Sequence, residues 1–194
     1  MAPLNRQAGT VSEKPILKRA GSLTAGLIIL GLSAAGLSAQ EPPSRDTVLA
    51  AAEEIIDAAR YCGLVTFDES GNARVRTMDP FPPEEDWSIW MGTNRESRKV
   101  REIEADPRVT LYYYSIDHGG YVAVYGTARL VDDPVEKASR WKNEWESLYP
   151  DREAQYLLIQ VIPDRMEVIN YSRAIQGDPE TWEAPSVEFG RRGG

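Results

Sequence analysis

Two neighbouring segments decide how this chain is interpreted: Arg74-Val75-Arg76-Thr77-Met78, and then Met91-Gly92-Thr93-Asn94-Arg95-Glu96-Ser97-Arg98-Lys99. The first segment predicts a strand, and the second predicts a junction at which a strand leads into a helix. The first N–H groups of a helix lack partners within the helix, so its N-terminus attracts anions. Hydroxyl and cationic side chains converge there, namely those of Thr93, Ser97, Arg98 and Lys99. Arg74 and Arg76 share one face of the strand. Together these residues predict a site that suits a phosphorylated cofactor better than a nucleic acid.

The charge of the chain makes this cationic region stand out. The 194 residues carry a formal charge of −8, and they are enough for one domain with a real core plus appendages. Residues 1–39 hold four basic side chains and one acidic one, so the remaining body has a charge of −11. A body this acidic has little affinity for nucleic acid or anionic lipid. We therefore expect no nucleic-acid partner.

The N-terminal residues 1–39 have the composition of a targeting segment. A polar leader ends in Lys18-Arg19 and is followed by an uncharged, mostly apolar run over residues 20–39. This order predicts an export signal and a periplasmic or cell-envelope protein. An uncleaved membrane anchor is the first alternative, because about 20 residues span a bilayer. A misassigned start codon before a cytoplasmic protein is the second. Residues 40–45 are expected to be a linker.

The rest of the chain predicts a mainly β fold. Six or seven antiparallel strands and three short helices are expected to form a small closed sheet with helical covers. Hydrophobic periodicity and turn residues predict helices at 46–60, with Asp46 as N-cap, at 95–105 and at 133–148. They predict strands at 62–67, 73–77, 87–91, 108–116, 121–131, 156–162 and 166–171, the last two separated by Pro163-Asp164.

No residue is assigned as catalytic, and no metal site is expected. Cys62 and His118 are the only cysteine and histidine, and a nucleophile pair would need a third group to orient it. Cys62 is predicted to lie in the core and His118 in a turn. One histidine does not make a typical zinc site, and the acidic residues 84–86 are predicted to form a solvated loop. Trp141 and Trp145, at i and i+4, are expected to hold their helix against the sheet.

The order of strands and helices resembles the FMN-binding split barrel of the pyridoxamine 5′-phosphate oxidase-like family, in its shorter general stress protein branch. The resemblance covers residues 46–172 and leaves residues 173–194 as a C-terminal tail. Its motifs are the strand at 74–78, Thr93-Asn94 followed by Ser97-Arg98-Lys99, and Asp106-Pro107-Arg108-Val109 at the helix exit. The resemblance implies a homodimer with FMN at the subunit interface.

The resemblance also assigns roles to residues. The flavin would be lined by Arg74, Val75, Arg76, Thr77 and Met78. The ribityl phosphate would be held by Gly92, Thr93, Ser97, Arg98 and Lys99. Tyr121 and the C-terminal segment would complete the pocket from the neighbouring subunit.

The function implied is that of an FMN-dependent oxidoreductase acting on a small substrate. The oxidase itself carries a C-terminal Arg-His-type substrate motif, whereas residues 175–189 here contain Trp182 and no histidine. Oxidation of pyridoxamine phosphate is therefore not expected. The alternatives are a flavin-binding, stress-associated protein without turnover and a reductase that uses a deazaflavin. Haem is the least supported cofactor, because only His118 could supply an imidazole ligand.

Overall fold

One antiparallel sheet of seven strands forms the framework of the computed structural model, which describes residues 41–190. The strands are β1 (Cys62–Phe67), β2 (Ala73–Met78), β3 (Ile89–Asn94), β4 (Arg108–Ser115), β5 (Gly120–Val131), β6 (Tyr156–Ile169) and β7 (Ser186–Glu188). Their order is β2-β1-β4-β5-β6-β3, and β7 pairs with the second half of β6. The mainly β, split-barrel fold expected from the sequence is confirmed, but the sheet is not closed as expected, because its two edges meet only at the bridge between Pro80 and Met91.

Short helices cover this sheet. They are α1 (Arg45–Ala59), α2 (Arg98–Ala105), α3 (Pro134–Ser139) and α4 (Arg152–Gln155), with 3₁₀ turns at Asn143–Trp145 and Tyr171–Arg173. The N-cap of α1 is Ser44 and not Asp46, because the Ser44 hydroxyl accepts a hydrogen bond from Thr47 N at 3.3 Å. Asp46 lies instead in the first turn, where a carboxylate interacts favourably with the helix dipole.

The prediction of a helix over residues 133–148 is wrong beyond the first turns. Asp133 does act as the N-cap of α3, but the helix ends at Ser139. The aromatic side chains that follow contact one another and Tyr156 rather than one face of a helix. The ring centroids of Trp141 and Tyr149 each lie 5.2 Å from that of Tyr156. These contacts outweigh the helical spacing of the sequence, because burying large rings contributes more than local propensity.

The two strands predicted around Pro163 are one continuous strand, β6. A bulge makes this continuity compatible with proline. Arg165 pairs with Tyr125 and Pro163 pairs with Gly126, which leaves Asp164 as the extra residue on β6. The bulge interrupts the ladder where Pro163 has no N–H to donate.

The core lies between the inner face of the sheet and α1. It includes Val48, Ala52 and Ile55 of the helix, Leu64, Leu111, Val122, Val124, Ile159 and Met166 of the sheet, and Ile175 and Val187 of the C-terminal segment. Two residues of the expected tail at 173–194 are therefore core residues. Because β7 also extends the sheet, the folded domain continues beyond residue 172.

The targeting segment at 1–39 lies outside the described residues. Between residues 41 and 190, no helix combines the length and apolar character needed to cross a membrane. Of the expected linker, Ser44 and Arg45 already belong to the start of α1.

The bulge generates a prediction about Gly126. A methyl group at this position would lie 2.2 Å from the carbonyl oxygen of Ile162, so the β5–β6 ladder would have to shift. We expect Gly126→Ala to lower the free energy of unfolding by about 1–3 kcal/mol, measured by urea denaturation. Gly63→Ala is the matched control, since its methyl would meet no atom closer than 3.6 Å. Equal stability of the two variants would contradict the bulge geometry.

Candidate functional site

A cleft lies at the seam between the two edge strands of the sheet. The end of β2 and the strand β3 are joined by one bridge, Pro80 to Met91, and by a hydrogen bond from Phe81 N to Trp90 O at 2.8 Å. Beyond that bridge the edges separate and leave a cleft of about 330 Å³. Its lining residues are Thr77, Met78, Asp79, Gly92, Thr93, Asn94, Lys99, Trp145, Leu148 and Tyr149.

Lys99 gives the cleft its charge. Its ammonium group donates to the hydroxyl of Thr93 at 3.1 Å, and that hydroxyl lies 3.1 Å from the hydroxyl of Ser97. Burial lowers the pKa of Lys99 below its ordinary value, and the nearby guanidinium of Arg76 lowers it further. In the part of the chain that the structure describes, Lys99 forms no salt bridge. A half-buried cation without a carboxylate partner favours the binding of an anion.

The N-terminus of α2 adds hydrogen-bond donors to this place. Ser97 occupies the N-cap position, but its side chain makes no capping hydrogen bond and is directed to Thr93 instead. The first N–H groups of α2 therefore keep no side-chain partner from the cap. The N-terminus of α2, the hydroxyls of Thr93 and Ser97 and the ammonium group of Lys99 therefore lie close together. This combination is typical of phosphate-binding sites.

Glu102 explains why Lys99 has no acidic partner. Its carboxylate is only 5% exposed and accepts hydrogen bonds from Thr66 at 2.5 Å and from Arg76 at 2.6 Å. Its other oxygen lies 3.0 Å from Nε of Arg98. Burial alone would raise the pKa of Glu102, but these hydrogen bonds and charges lower it below its ordinary value. The carboxylate is thus ionised and paired with two arginines, although its Oε1 accepts no hydrogen bond within the described residues.

The predicted arginines consequently do not line the cleft. Arg76 and Arg98 face Glu102, and Arg74 forms an ion pair with Asp68 at 2.7 Å. Hydrogen bonds from Asn72 N and from the Arg74 side chain hold the pKa of Asp68 at about 2. Arg74 therefore stabilises the β1–β2 turn.

Of the residues assigned by resemblance, the cleft brings together Thr77, Met78, Gly92, Thr93 and Lys99, with Ser97 behind Thr93. Val75 and Tyr121 lie on the outer face of the sheet, where Tyr121 stacks on Tyr112 with a centroid distance of 5.6 Å. Within one subunit Tyr121 is remote from Thr93, because the two residues neighbour opposite ends of β6. Its contribution from a neighbouring subunit stays a prediction.

An aromatic wall closes one side of the cleft, and sequence reasoning missed it. Trp145, Leu148 and Tyr149 come from the irregular chain after α3. The spacing of Trp141 and Trp145 predicted only that they hold a helix against the sheet. Gly92 is required beneath this wall, because a Cβ there would lie 2.6 Å from the Trp145 ring and 2.7 Å from the Tyr156 ring.

Cys62 and His118 do not form a nucleophile pair. Burial raises the pKa of the Cys62 thiol to about 12, so no thiolate is available near neutral pH. His118 lies in the β4–β5 turn, where Nδ1 is 2.9 Å from the hydroxyl of Ser115. Within residues 41–190, no three acidic, cysteine or histidine side chains are grouped to hold a metal ion.

The curled antiparallel sheet with a cleft at its seam defines a split barrel. Residues 48–173 match the family described as pyridoxamine 5′-phosphate oxidase like, and the chain belongs to this family, as expected from the motifs. No curated protein sequence matches the chain.

Solved structures agree with this assignment. General stress protein 26 from Bacillus anthracis str. Sterne is 26% identical in sequence and gives a TM-score of 0.53. The match covers 64% of this chain and 92% of that protein. A Clostridium acetobutylicum protein related to general stress protein 26, of the pyridoxinephosphate oxidase family, is 15% identical with a TM-score of 0.60. The match covers 75% of this chain and 96% of the Clostridium protein. At 15% identity this similarity shows only that the two proteins share a fold.

The close contact at Gly92 generates a second prediction. Gly92→Ala should displace the Trp145 ring and cost about 1–3 kcal/mol of unfolding free energy, because the added methyl overlaps that ring. Near-ultraviolet circular dichroism and denaturation would measure the two effects. The double variant with Trp145→Leu is the control, and we expect it to lose less stability than the sum of the single changes. Strict additivity would mean that Gly92 and Trp145 are not in contact.

Proposed function

We propose that this protein is a flavoprotein that binds FMN in the seam cleft and acts as an oxidoreductase on a small substrate. The observation that carries the proposal is Lys99, a half-buried ammonium group without a carboxylate partner among the described residues. Together with the hydroxyl of Thr93 and the N-terminus of α2, it supports a phosphate-binding role. The aromatic wall and Met78 supply apolar surface for the ring portion of the cofactor.

The charge balance of the side chains around Glu102, next to the cleft, supports a dianionic phosphate. Arg76, Arg98 and Lys99 contribute three positive charges, and Glu102 contributes one negative charge. Of these four side chains only Lys99 lines the cleft, where Asp79 is paired with Lys142. The cluster therefore has a net charge of +2, which a phosphate monoester with nearly two negative charges neutralises. A deazaflavin that carries its phosphate as a diester presents only one charge and fits this cluster less well.

Bound FMN would supply the hydride and electron chemistry, and the chain would supply binding and orientation. Among the lining residues, Lys99 faces the phosphate region and Asp79 is paired with Lys142. We assign neither as an acid or base. Reduction of the bound flavin by a nicotinamide cofactor, followed by reoxidation with candidate acceptors, tests turnover. A bound flavin that resists reduction would indicate a binding protein without turnover.

Replacing Lys99 tests the phosphate assignment. Lys99→Met removes one charge-assisted hydrogen bond worth about 1.5–3 kcal/mol, so we expect FMN affinity to fall roughly 10- to 100-fold. Riboflavin, which has no phosphate, should bind both proteins equally. Fluorescence titration measures both ligands. Because the pKa of Lys99 is lowered, wild-type affinity should begin to fall at a pH below the ordinary lysine range, and the variant should lack this dependence.

The matched control for this experiment is Arg101→Gln. Arg101 lies on the same helix but outside the cleft, and its guanidinium contacts Glu96 O. Its loss should leave FMN affinity within about twofold, the size of a screened surface effect. Equal losses for the Arg101 and Lys99 variants would refute a specific phosphate contact.

We further propose that the protein is a homodimer that associates through the outer sheet face. This face carries Val75, Tyr112, Tyr114, Tyr121 and Tyr125, of which Val75 is 69% and Tyr114 57% exposed. Contiguous exposed apolar surface of this kind is typical of a protein interface. A twofold arrangement would bring Tyr121 toward the partner's cleft and give two equivalent sites.

A charge on this face should separate the subunits. Tyr114→Glu places like charges near the twofold contact, so we expect a monomer by light scattering at micromolar concentration. Val135→Glu is the matched control, because Val135 is 75% exposed on α3, away from the outer sheet face. A stable, FMN-loaded wild-type monomer would contradict the proposal.

The leader supports a proposal of export. Protein recovered from the envelope of the native host should begin near Gln40, as N-terminal sequencing would measure. FMN is made inside the cell, so loaded mature protein would require export after folding, and changing Lys18 and Arg19 to Gln should then trap the precursor in the cytoplasm. Full-length soluble protein would contradict export, whereas full-length protein in the membrane fraction would indicate an anchor.

A further inference from the structure

The aromatic wall of the cleft, defined by Trp145, Leu148 and Tyr149, is built on chain with little regular structure. Apart from the 3₁₀ turn at Asn143–Trp145, residues 140–151 form turns and bends. The backbone hydrogen bonds of the wall stay within this segment: Trp145 N donates to Lys142 O, and Leu148 N and Tyr149 N donate to Trp145 O. Its position must therefore come from side-chain contacts with the rest of the fold.

Both ends of this segment are anchored independently of the cleft. At the first end, Arg140 forms ion pairs with Glu84 and Glu136, and its guanidinium lies 3.9 Å from the centre of the Trp90 ring. At the second end, Arg152 donates to Lys137 O at 2.8 Å and lies 4.0 Å from the centre of the Trp141 ring. None of the residues that these two arginines contact here lines the cleft.

Lys142, near the start of the segment, connects it to the opposite side of the cleft. Its ammonium group lies 2.8 Å from Asp79 Oδ1 and donates to Pro80 O at 3.1 Å. The same group lies 4.9 Å from the centre of the Phe81 ring and 5.2 Å from that of Trp145. Asp79 and Trp145 both line the cleft, so one cation holds two of its sides together.

The ion pair between Lys142 and Asp79 is partly shielded from solvent, so its attraction is stronger than that of a fully exposed pair. The side chains of Lys142 and Asp79 are 21% and 24% exposed, so solvent screens them less than a typical surface pair. The two cation–π contacts add to the attraction and fix where the ammonium group lies relative to the indole. The Trp145 ring also packs against Phe81 and Tyr156, and Lys142 adds the charged link that ties this ring to Asp79.

We infer that Lys142 is a positioning residue, which holds Trp145 as the wall of the cleft and thereby controls retention of the ring portion of the bound molecule. Lys142 acts on the ring portion of the bound molecule and not on its phosphate. The proposed phosphate contacts, Thr93 and Lys99, lie on β3 and α2, whereas Lys142 lies on the segment that carries the wall. The identity of the ligand rests on the proposed function, whereas the effect on the wall does not.

The first experiment uses the full chain without ligand. Lys142→Met keeps the aliphatic stem near the rings and removes the charge, and Lys142→Arg keeps the charge as the matched control. In hydrogen–deuterium exchange we expect amides of residues 142–149 to exchange roughly tenfold faster in Lys142→Met, with β5 and β6 unchanged. Lys142→Arg and wild type should be alike. Unchanged exchange in Lys142→Met would overturn the inference.

The second experiment measures ligand release. FMN displaced from Lys142→Met should dissociate roughly tenfold faster than from wild type, whereas inorganic phosphate should compete with equal strength for both proteins. Equal loss of FMN and phosphate affinity would overturn the specific role of Lys142 and indicate a general disruption of the cleft. If wild type binds no FMN, the proposed function fails, and the exchange experiment still decides the role of Lys142.

A third measurement covers the case in which Lys142→Met fails to fold. Wild-type exchange at residues 142–149 should accelerate between low salt and about 1 M salt, where the screening length falls to about 3 Å. Asp79→Asn should remove that salt dependence. Salt-independent exchange in wild type would overturn the inference.

Discussion

The site depends on a sheet that does not close. Proline lacks the N–H needed to continue a ladder, and the chain after β2 contains Pro80, Pro82 and Pro83. β2 and β3 therefore meet at one bridge, Pro80 to Met91, and then separate. The long strand β6 carries β3 on one side and β5 on the other, which keeps the open edges in place. The cleft follows from this constraint.

Electrostatics inside the barrel distinguishes arginines that support the structure from the lysine that is free for a ligand. Glu102 occupies Arg76 and Arg98, so it connects β2 with α2 and leaves Lys99 without a carboxylate. A buried ion pair contributes little net stability unless its hydrogen bonds are complete, and here Thr66 and Arg76 donate to one carboxylate oxygen of Glu102 while the other accepts no hydrogen bond within the described residues. The ion pairs of Glu102 fix the orientation of α2, whose N-terminus faces the cleft.

The sequence predicted the mainly β fold and the strand-to-helix junction at the cleft because those features are local. The β1–β2 hairpin follows from the turn around Asp68, and the strand-to-helix junction from residues 91–99. Contacts between distant residues were not predictable from spacing. The ring of Tyr156 ends the helix expected at 133–148, and the bulge at Gly126 joins the two strands expected around Pro163.

The same limit applies to the candidate site. Nothing in the pattern Arg98-Lys99 indicates that the arginine faces a carboxylate and the lysine does not. That difference comes from Glu102, one turn along the helix, and from Arg76 across the interior. Lys99 also has a consequence for the life of the protein in the cell. Burial and the nearby guanidinium of Arg76 disfavour the charge of Lys99 in the empty fold, and any anion that neutralises it would favour the folded state by mass action. Proteases degrade mainly the opened chain, so the empty protein is the form that they remove first. The abundance of the protein would then follow the supply of its ligand without any change in transcription.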